Sequence, residues 1–364
     1  MQIFRRFYMT IPLVKQNFTK EMKEAAIYAL ENERFVLGES VFKFEEKFAR
    51  YCSTKHALAV SSGTAALHLS LIAFELKKNE KVVTTPMSFT ATANAVVHAG
   101  GVPVFADIEE DTGNIDAGKI ITNGVRGIMP VHLYGQPCEM EEIIELKEKG
   151  VFIVEDACQA HGAEYKGKKV GSIGHAGCFS FYPSKNMTVG GDGGMVTTDD
   201  EKIAEEIRKL RDCGRKGKYE HDSIGFTYRL NTVNAAIGLV QLKYLDAWNE
   251  KRRKIAKLYR KLLPEEILLS EKKHVKHVYH VFVVKVKERE KLIEHLKSNG
   301  IEIGIHYPIP IHLQPIYRQL FGYKEGSFPI AEKFSKEVLS LPIYPQLSAD
   351  EVKFVCEKIE EFLQ

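Results

Sequence analysis

Apolar and polar positions follow two different patterns along the chain. From about residue 55 to 245, short apolar runs such as "HALAV", "VFIVEDA" and "GMVTT" alternate with segments whose apolar residues recur at helical spacing. Short apolar runs between amphipathic helices are typical of buried parallel strands. This region therefore predicts an α/β fold in which helices cover both faces of a mostly parallel sheet.

The pattern changes beyond residue 245. A long helical stretch is followed by the strand-like "HVYHVFVVKV", the helical "REKLIEHLKSNG", the strand-like "IEIGIHYPI" and two further helical stretches. We predict a large domain over residues 1–245 and a smaller α+β domain over residues 246–364.

Composition and charge narrow the class of protein. The 364 residues are 44% hydrophobic and 27% charged, as in ordinary soluble domains, and the net charge is only +3. The densest basic run, Lys251 to Lys254, sits among apolar residues at helical spacing and is interpreted as a solvated helix face. We therefore expect no nucleic-acid partner.

Neither a membrane nor a secreted location is indicated. The N-terminal "MQIFRRFYMT" is too short in its apolar part for a secretory signal. The uncharged stretch Val82 to Ala106 contains prolines, glycines and an asparagine, so it favours a strand–loop–helix over a membrane span. The six cysteines show no CxxC pair. We expect a cytoplasmic protein with reduced thiols.

One lysine lies in unusual surroundings. Lys185, in "FSFYPSKNMTVGGDGG", lies between a predicted buried strand carrying Ser180 and a glycine-rich bend. Glycines allow backbone to approach a ligand closely. An enclosed lysine with a lowered pKa is a candidate nucleophile toward a carbonyl, although a lysine that extends its ammonium to solvent would fit the same pattern.

Two further segments follow predicted strands. In "VSSGTAAL", Ser62, Gly63 and Thr64 stand where a helix begins, which suits either a phosphate or an ordinary helix cap. Phe89, in "TTPMSFTATANA", could stack on a flat ring or pack in the core.

The strand "VFIVEDA" ends on two carboxylates. Glu155 and Asp156 are adjacent, so they should point to opposite faces, and Asp156 is the better candidate for holding a protonated ring nitrogen. Asp156 could instead cap the following turn. Cys158 and His161, with Asp156 and His132, also suggest a metal site, but no second ligand pair at zinc-like spacing supports it, so we expect none.

In open α/β sheets, ligands bind beyond the carboxyl ends of the strands, where all these segments fall. A phosphate cradle, an acid for a ring nitrogen, a stacking face and a lysine that condenses with an aldehyde together match pyridoxal phosphate.

The same segments resemble a known family. "SSGTAALHLSL", "PMSFTATANAV", "VEDACQAHGA", "FSFYPSKNMTVGGDGG", "YRLNTVNAAIGLVQL" and "IHYPIPIHLQP" are similar to the DegT/StrS-type sugar aminotransferases, in order from about residue 10 to the C-terminus. The resemblance implies the aspartate-aminotransferase-like fold, fold type I of the pyridoxal-phosphate enzymes, with a large domain built on a mostly parallel mixed sheet and a smaller α+β C-terminal domain.

The resemblance also implies roles for individual residues. Lys185 would form the Schiff base and Asp156 would hold the pyridinium proton, which makes them the catalytic pair. The other residues implied to contact the cofactor are Ser62, Gly63, Thr64, Phe89, Gln159 and Ser180.

In this family the active site lies between two subunits, so the resemblance implies a homodimer with shared sites. The loop with which the partner completes the cofactor's phosphate site matches "GFTYRLNTV". Thr227 stands where many relatives have asparagine, so either its hydroxyl or Asn231 would contact the cofactor instead. Arg229, His306, Tyr307 and His312 would lie near the sugar.

The implied reaction is transamination of a nucleotide-linked keto-sugar, with glutamate as amino donor, for glycan or secondary-metabolite biosynthesis. Two alternatives are a sugar dehydratase that uses pyridoxamine phosphate, whose members have histidine at the lysine position, and a sensor or regulator of the same fold. "YRLNTVNAAIGLVQL" favours amination at carbon 4 and "IHYPIPIHLQP" favours carbon 3, so the position stays open.

Overall fold

The structure is a computed structural model that describes residues 10–364. Apart from Thr10, the segment weighed above as a secretory signal lies outside these residues. Among the residues described, no helix is long and apolar enough to cross a membrane.

The described residues form twelve strands and eleven α-helices. The strands are β1 (His56–Val60), β2 (Lys81–Thr84), β3 (Val102–Phe105), β4 (Val125–Met129), β5 (Phe152–Asp156), β6 (Glu164–Tyr165), β7 (Lys168–Lys169), β8 (Ala176–Ser180), β9 (Gly194–Thr198), β10 (Val275–Lys276), β11 (Phe282–Lys285) and β12 (Val338–Leu341). The helices are α1 (Lys20–Asn32), α2 (Glu39–Cys52), α3 (Gly63–Ala73), α4 (Ala91–His98), α5 (Glu141–Glu145), α6 (Glu201–Leu210), α7 (Thr232–Leu262), α8 (Arg289–Ser298), α9 (Pro315–Phe321), α10 (Pro329–Glu337) and α11 (Ala349–Leu363).

Seven strands form the main sheet in the order β1-β9-β8-β5-β4-β2-β3. Strand β9 runs antiparallel to both of its neighbours, and the other pairs are parallel. The predicted mostly parallel sheet is therefore confirmed. Its parallel strands all end at one edge, and the loops that follow β1, β2, β5 and β8 meet there.

Both faces of the main sheet are buried, which explains why its strands are apolar at successive positions. Leu58 and Val196 pack into the core beneath α3, α4 and α6, whereas their neighbours Ala59 and Met195 pack into the core beneath α2 and α7. Each strand therefore contributes to two cores.

A second core lies in the C-terminal part of the chain. Tyr259 from α7, Phe282 from β11, Leu341 from β12 and Val355 from α11 belong to it. The predicted boundary after residue 245 falls inside α7, a helix that packs against α1 and α2 in its first half and contributes to this second core in its last turns. The division into two domains stays a prediction.

Two local predictions are wrong. "IEIGIHYPI" does not form a strand but an irregular segment held by isolated bridges at Ile301 and Gly304. Arg252, assigned to a solvated helix face, is buried, and its guanidinium donates to the backbone carbonyls of Tyr279, His280 and Ile343. Three carbonyl acceptors replace the water that a guanidinium otherwise requires.

Candidate active site

One cavity lies at the carboxyl ends of β1, β5 and β8, between the main sheet and the C-terminal part of the chain. Of the fourteen residues predicted for the site, ten line it: Ser62, Gly63, Thr64, Phe89, Asp156, Gln159, Ser180, Lys185, His306 and Tyr307. These residues come from five separate segments, so their convergence is a result of the fold and not of sequence proximity. The assignment of individual roles to them remains a proposal.

The first turn of α3 forms one wall of the cavity. Ser62 is the N-cap, and its Oγ accepts a hydrogen bond from the Ala65 amide at 3.1 Å. This capping role leaves the amides of Gly63 and Thr64 at the positive end of the helix dipole, where an anion is stabilised. A Cβ atom on Gly63 would lie 2.7 Å from Ser180 Cβ and 3.0 Å from Cys158 Sγ. Only glycine lets the helix start and Ser180 approach this closely.

Asp156 ends β5 with its carboxylate held by two donors. Thr92 Oγ1 donates to Asp156 Oδ2 at 2.7 Å, and the Cys158 amide donates to Oδ1 at 3.1 Å. Ser88 Oγ lies 2.9 Å from Thr92 Oγ1 and extends the network. The Asp156 side chain is buried, so these bonds fix where its negative charge faces the cavity.

Glu155 turns to the opposite face of the sheet, as predicted. It is completely buried, and it lies 3.0 Å from His132 Nε2 while accepting backbone hydrogen bonds from Gly171, Ile173 and Gly174. These partners, together with the charge of His132, keep the pKa of Glu155 low in spite of its burial. Its role is to anchor the 171–174 loop.

Lys185 follows β8 in a loop, and its amide donates to the Tyr182 carbonyl at 2.9 Å. Its side chain lines the cavity and is surrounded by protein. Burial lowers the pKa of Lys185 below its usual value, although the neighbouring Asp156 carboxylate opposes the shift. A larger fraction of the amine is therefore neutral near pH 7 than in an exposed lysine.

Gln159 and Tyr307 meet across the cavity. Gln159 Nε2 donates to the Tyr307 hydroxyl at 3.2 Å, and Gln159 Oε1 accepts from the Tyr134 amide at 2.9 Å. The rings of Phe89 and Tyr307 lie 6.2 Å apart between centroids, and Phe89 is 59% exposed. An aromatic face this open is available to a planar ligand.

Two histidines add polar groups that are neutral near pH 7. Burial, with the nearby charge of Lys185, lowers the pKa of His306 to about 4, and its Nδ1 lies 2.8 Å from Ser340 Oγ. Burial also lowers the pKa of His280, whose Nδ1 lacks a hydrogen-bond partner among the described residues. His280 lines the cavity but was not predicted from the sequence.

Four predicted residues do not line the cavity. His312 is completely buried, and its Nε2 lies 2.9 Å from Glu332 Oε1, so it does not reach the cavity, and its assignment to the substrate stays a prediction. The other three belong to the segment before α7 and contact neighbours outside the cavity: Thr227, which lies beside Cys213; Arg229, which pairs with Asp212 at 2.5 Å; and Asn231, which caps α7.

The candidate metal ligands do not converge. His132 lies against Glu155 and Cys138, while His161 packs against Phe179 and Phe181. Within residues 10–364, no group of three or more histidine, cysteine or acidic side chains is arranged to hold a metal ion.

Several residues of the cavity wall escaped sequence reasoning. Besides His280, they include Ser88, Thr92, Tyr182 and Ser184. Ser88 directly precedes Phe89, and Thr92 follows it three residues later. The prediction that Phe89 contacts a ligand could therefore have been extended to both. Tyr182 and Ser184 closely precede Lys185 in the same way, whereas His280 lies in an apolar segment that gives no such signal.

Comparison with known proteins identifies the class. A model of the DegT/DnrJ/EryC1/StrS aminotransferase family matches residues 16–360, so the chain belongs to this family and is an aminotransferase. It is similar in structure to S. venezuelae DesV, solved in complex with a ketimine intermediate, with a TM-score of 0.93 and 36% identity over 97% of this chain and 99% of that one. The predicted fold, type I of the pyridoxal-phosphate enzymes, is confirmed.

Two relatives in sequence carry different descriptions. The dTDP-3-amino-3,6-dideoxy-alpha-D-galactopyranose transaminase of Aneurinibacillus thermoaerophilus is 39% identical, over 98% of this chain and 99% of the relative. A protein of Geobacillus stearothermophilus described as a pleiotropic regulatory protein is 42% identical, over 92% of each chain.

Proposed function

We propose that this enzyme binds pyridoxal phosphate in the cavity and transfers an amino group from glutamate to the keto group of a nucleotide-linked sugar. The main support for the proposal is that Lys185, Asp156 and the first turn of α3 line one cavity. The named activity of the Aneurinibacillus transaminase supports the sugar class.

The residues present fit this cofactor. The close approach of Gly63 to Ser180 leaves backbone amides and a hydroxyl for a phosphate, and the Asp156 carboxylate suits a protonated ring nitrogen. Gln159 stands where it can contact the ring hydroxyl, and Phe89 offers a face for stacking. When bound, pyridoxal phosphate supplies an electron-accepting ring that stabilises negative charge on the carbon that loses a proton.

The chain's own groups supply the proton transfer and the orientation. The neutral amine of Lys185 can bind an aldehyde covalently and can accept the proton from the α carbon of the amino donor at Nζ. As an ammonium it can return a proton in the second half of the reaction. Asp156, fixed by Thr92, keeps its negative charge in one place throughout. His306 and Tyr307 line the same cavity, and we assign them to the sugar.

A homodimer with shared sites belongs to the same proposal. Large apolar side chains on and after α1 are 45–64% exposed: Ile27, Tyr28, Leu30, Phe35 and Val36. Val36 pairs with Asn231 and the Thr232 amide donates to Phe35, so this apolar patch adjoins the segment that carries Thr227 and Arg229. A second copy covering the patch would bring that segment near a partner's cavity.

A cytoplasmic location belongs to the proposal, and the free thiols support it. All six cysteines are free, and four of them are buried. Proteins that keep many unpaired cysteines are typical of reducing compartments, which supports the cytoplasm.

The decisive assay offers UDP-, dTDP- and GDP-linked 3-keto and 4-keto sugars with glutamate to the purified enzyme. We expect one of them to yield an amino sugar and an equal amount of 2-oxoglutarate, and Lys185→Ala to abolish both. A product that has lost water without gaining nitrogen would indicate a dehydratase. Binding of these sugars without turnover would favour the regulatory function suggested by the Geobacillus relative's description.

A further inference from the structure

Tyr134 has a backbone conformation that its residue type disfavours. It lies in a turn after β4 with φ 60° and ψ 4°, in the left-handed region. For a bulky residue this conformation is unfavourable and persists only where the surrounding structure holds it. The side chain is only 2% exposed and does not line the active-site cavity.

Three hydrogen bonds connect Tyr134 to residues that do line the cavity. Its amide donates to Gln159 Oε1 at 2.9 Å, its carbonyl accepts from the His280 amide at 2.8 Å, and its hydroxyl donates to the His306 carbonyl. These partners come from the loop after β5, the segment before β11 and the irregular segment around residue 306. Tyr134 is therefore bonded to three different walls of one site.

The turn that carries Tyr134 is fixed relative to Asp156. The His132 amide donates to the Asp156 carbonyl at 3.1 Å, and the Asp156 amide donates to the Pro130 carbonyl at 2.8 Å. These bonds make the turn an extension of the main sheet. The hydrogen bond from Tyr134 to His306 thus connects the wall of the cavity that carries Asp156 and Gln159 to the wall formed by His306 and Tyr307.

We propose that Tyr134 is a positioning residue for the substrate, whose hydroxyl sets the distance between the His306–Tyr307 wall and the wall formed by Asp156 and Gln159. The part concerning substrate rests on the proposed function, whereas the part concerning the 306–307 segment does not. Cofactor binding and substrate fit would then depend on different residues. Residues of the sheet hold the cofactor, and Tyr134 fixes the wall against which the larger acceptor substrate must fit.

The test is Tyr134→Phe, which removes the hydroxyl and keeps the ring and both backbone bonds. Tyr259→Phe is the matched control, because the Tyr259 side chain is also buried and its hydroxyl donates to a backbone carbonyl, that of Pro342, at 3.0 Å. Tyr259 does not line the cavity.

Hydrogen exchange is followed by mass spectrometry without substrate. In Tyr134→Phe, peptides covering 303–311 should exchange at least roughly threefold faster than in the wild type. In Tyr259→Phe, their exchange rate should be that of the wild type. Unchanged exchange in Tyr134→Phe, or the same increase in both variants, would overturn the proposal.

Kinetics tests the consequence for substrate. In Tyr134→Phe, KM for the nucleotide sugar should rise about tenfold, the scale expected when a buried carbonyl loses its donor, while kcat and pyridoxal-phosphate affinity stay within about twofold. An unchanged KM, or equal losses in kcat and cofactor affinity, would contradict the role. A wild-type enzyme inactive on every nucleotide sugar would refute the proposed function, and the exchange measurement would still decide the position of the 306–307 segment.

Discussion

Thr92 and Asp156 are joined by a hydrogen bond in which Thr92 Oγ1 donates to Asp156 Oδ2 at 2.7 Å. Thr92 lies in the first turn of helix α4 and Asp156 at the end of strand β5, so a helix that packs on the sheet helps to fix the carboxylate of a strand residue. A buried carboxylate held by such donors keeps its orientation before any ligand binds.

Removing this donor should weaken cofactor binding. We expect Thr92→Val to raise the pyridoxal-phosphate Kd about tenfold, roughly 1.4 kcal/mol, because the Asp156 carboxylate loses a charge-assisted hydrogen bond. Fluorescence titration measures this. Thr197→Val is the control, since Thr197 is equally buried and donates to the Gly171 carbonyl, away from the cavity. Equal affinity in the wild type and Thr92→Val would show that the bond does not prepare the site.

The approach of Gly63 to Ser180 gives a second prediction. Alanine normally favours a helix over glycine, but a Cβ on Gly63 would lie 2.7 Å from Ser180 Cβ. We expect Gly63→Ala to lower cofactor affinity by at least about tenfold and to destabilise the fold by about 1–3 kcal/mol. Gly217→Ala, whose Cβ meets no atom within 4 Å, should change neither quantity. Titration with pyridoxal phosphate and urea unfolding measure the two effects, and normal affinity in Gly63→Ala would argue against a phosphate at this wall.

The exposed apolar patch after α1 predicts the oligomeric state. Phe35→Glu places a charge where we expect a second copy to pack, so light scattering should show the mass of one chain instead of two. Activity should fall with the loss of the dimer if the sites are shared. Ile121→Glu alters a side chain that is 70% exposed elsewhere and should leave both mass and activity unchanged. A Phe35→Glu variant that remains a fully active dimer would contradict the shared site.

Buried histidines predict how stability depends on pH in the cofactor-free protein. Burial, with the charge of Lys185, lowers the pKa of His161 to about 3, while the unfolded chain binds the proton near 6.5. The unfolded state therefore binds more protons between these values, so stability falls as pH drops below 6.5. For His161 alone the loss from pH 7 to pH 5 is about 2 kcal/mol.

Urea unfolding at pH 7 and pH 5 measures this change in the free energy of unfolding. His161→Leu should lose about 2 kcal/mol less than the wild type over the interval, whereas the exposed His221→Gln should behave as the wild type does. The same pH dependence in the wild type and His161→Leu would show that folding does not lower the pKa of His161.

Sequence reasoning recovered the elements that repeat a simple pattern. Strands β5 and β9 are buried on both faces, so most of their residues are apolar. Such short apolar runs are easy to distinguish in the sequence from the amphipathic helices on either side. The residues that end strands, such as Asp156, were found for the same reason, because a polar group directly after a buried run marks the edge where ligands bind.

The rest depends on long-range packing that local pattern does not encode. Arg252 has helical spacing typical of a solvated face, but three carbonyls from distant segments surround it. His312 lies close in sequence to the cavity residues His306 and Tyr307, yet Glu332 holds it in the core. Tyr134 reaches the His306 carbonyl with its hydroxyl only because its turn has a left-handed backbone conformation, which its residue type does not predict.

Covalent trapping is the sharpest test of the role proposed for Lys185. Enzyme saturated with pyridoxal phosphate is reduced with sodium borohydride, digested and mapped by mass spectrometry. We expect one phosphopyridoxyl group per chain, on the peptide that contains Lys185, and none in Lys185→Ala. A label spread over surface lysines, or absent from Lys185 while the cofactor is bound, would contradict it.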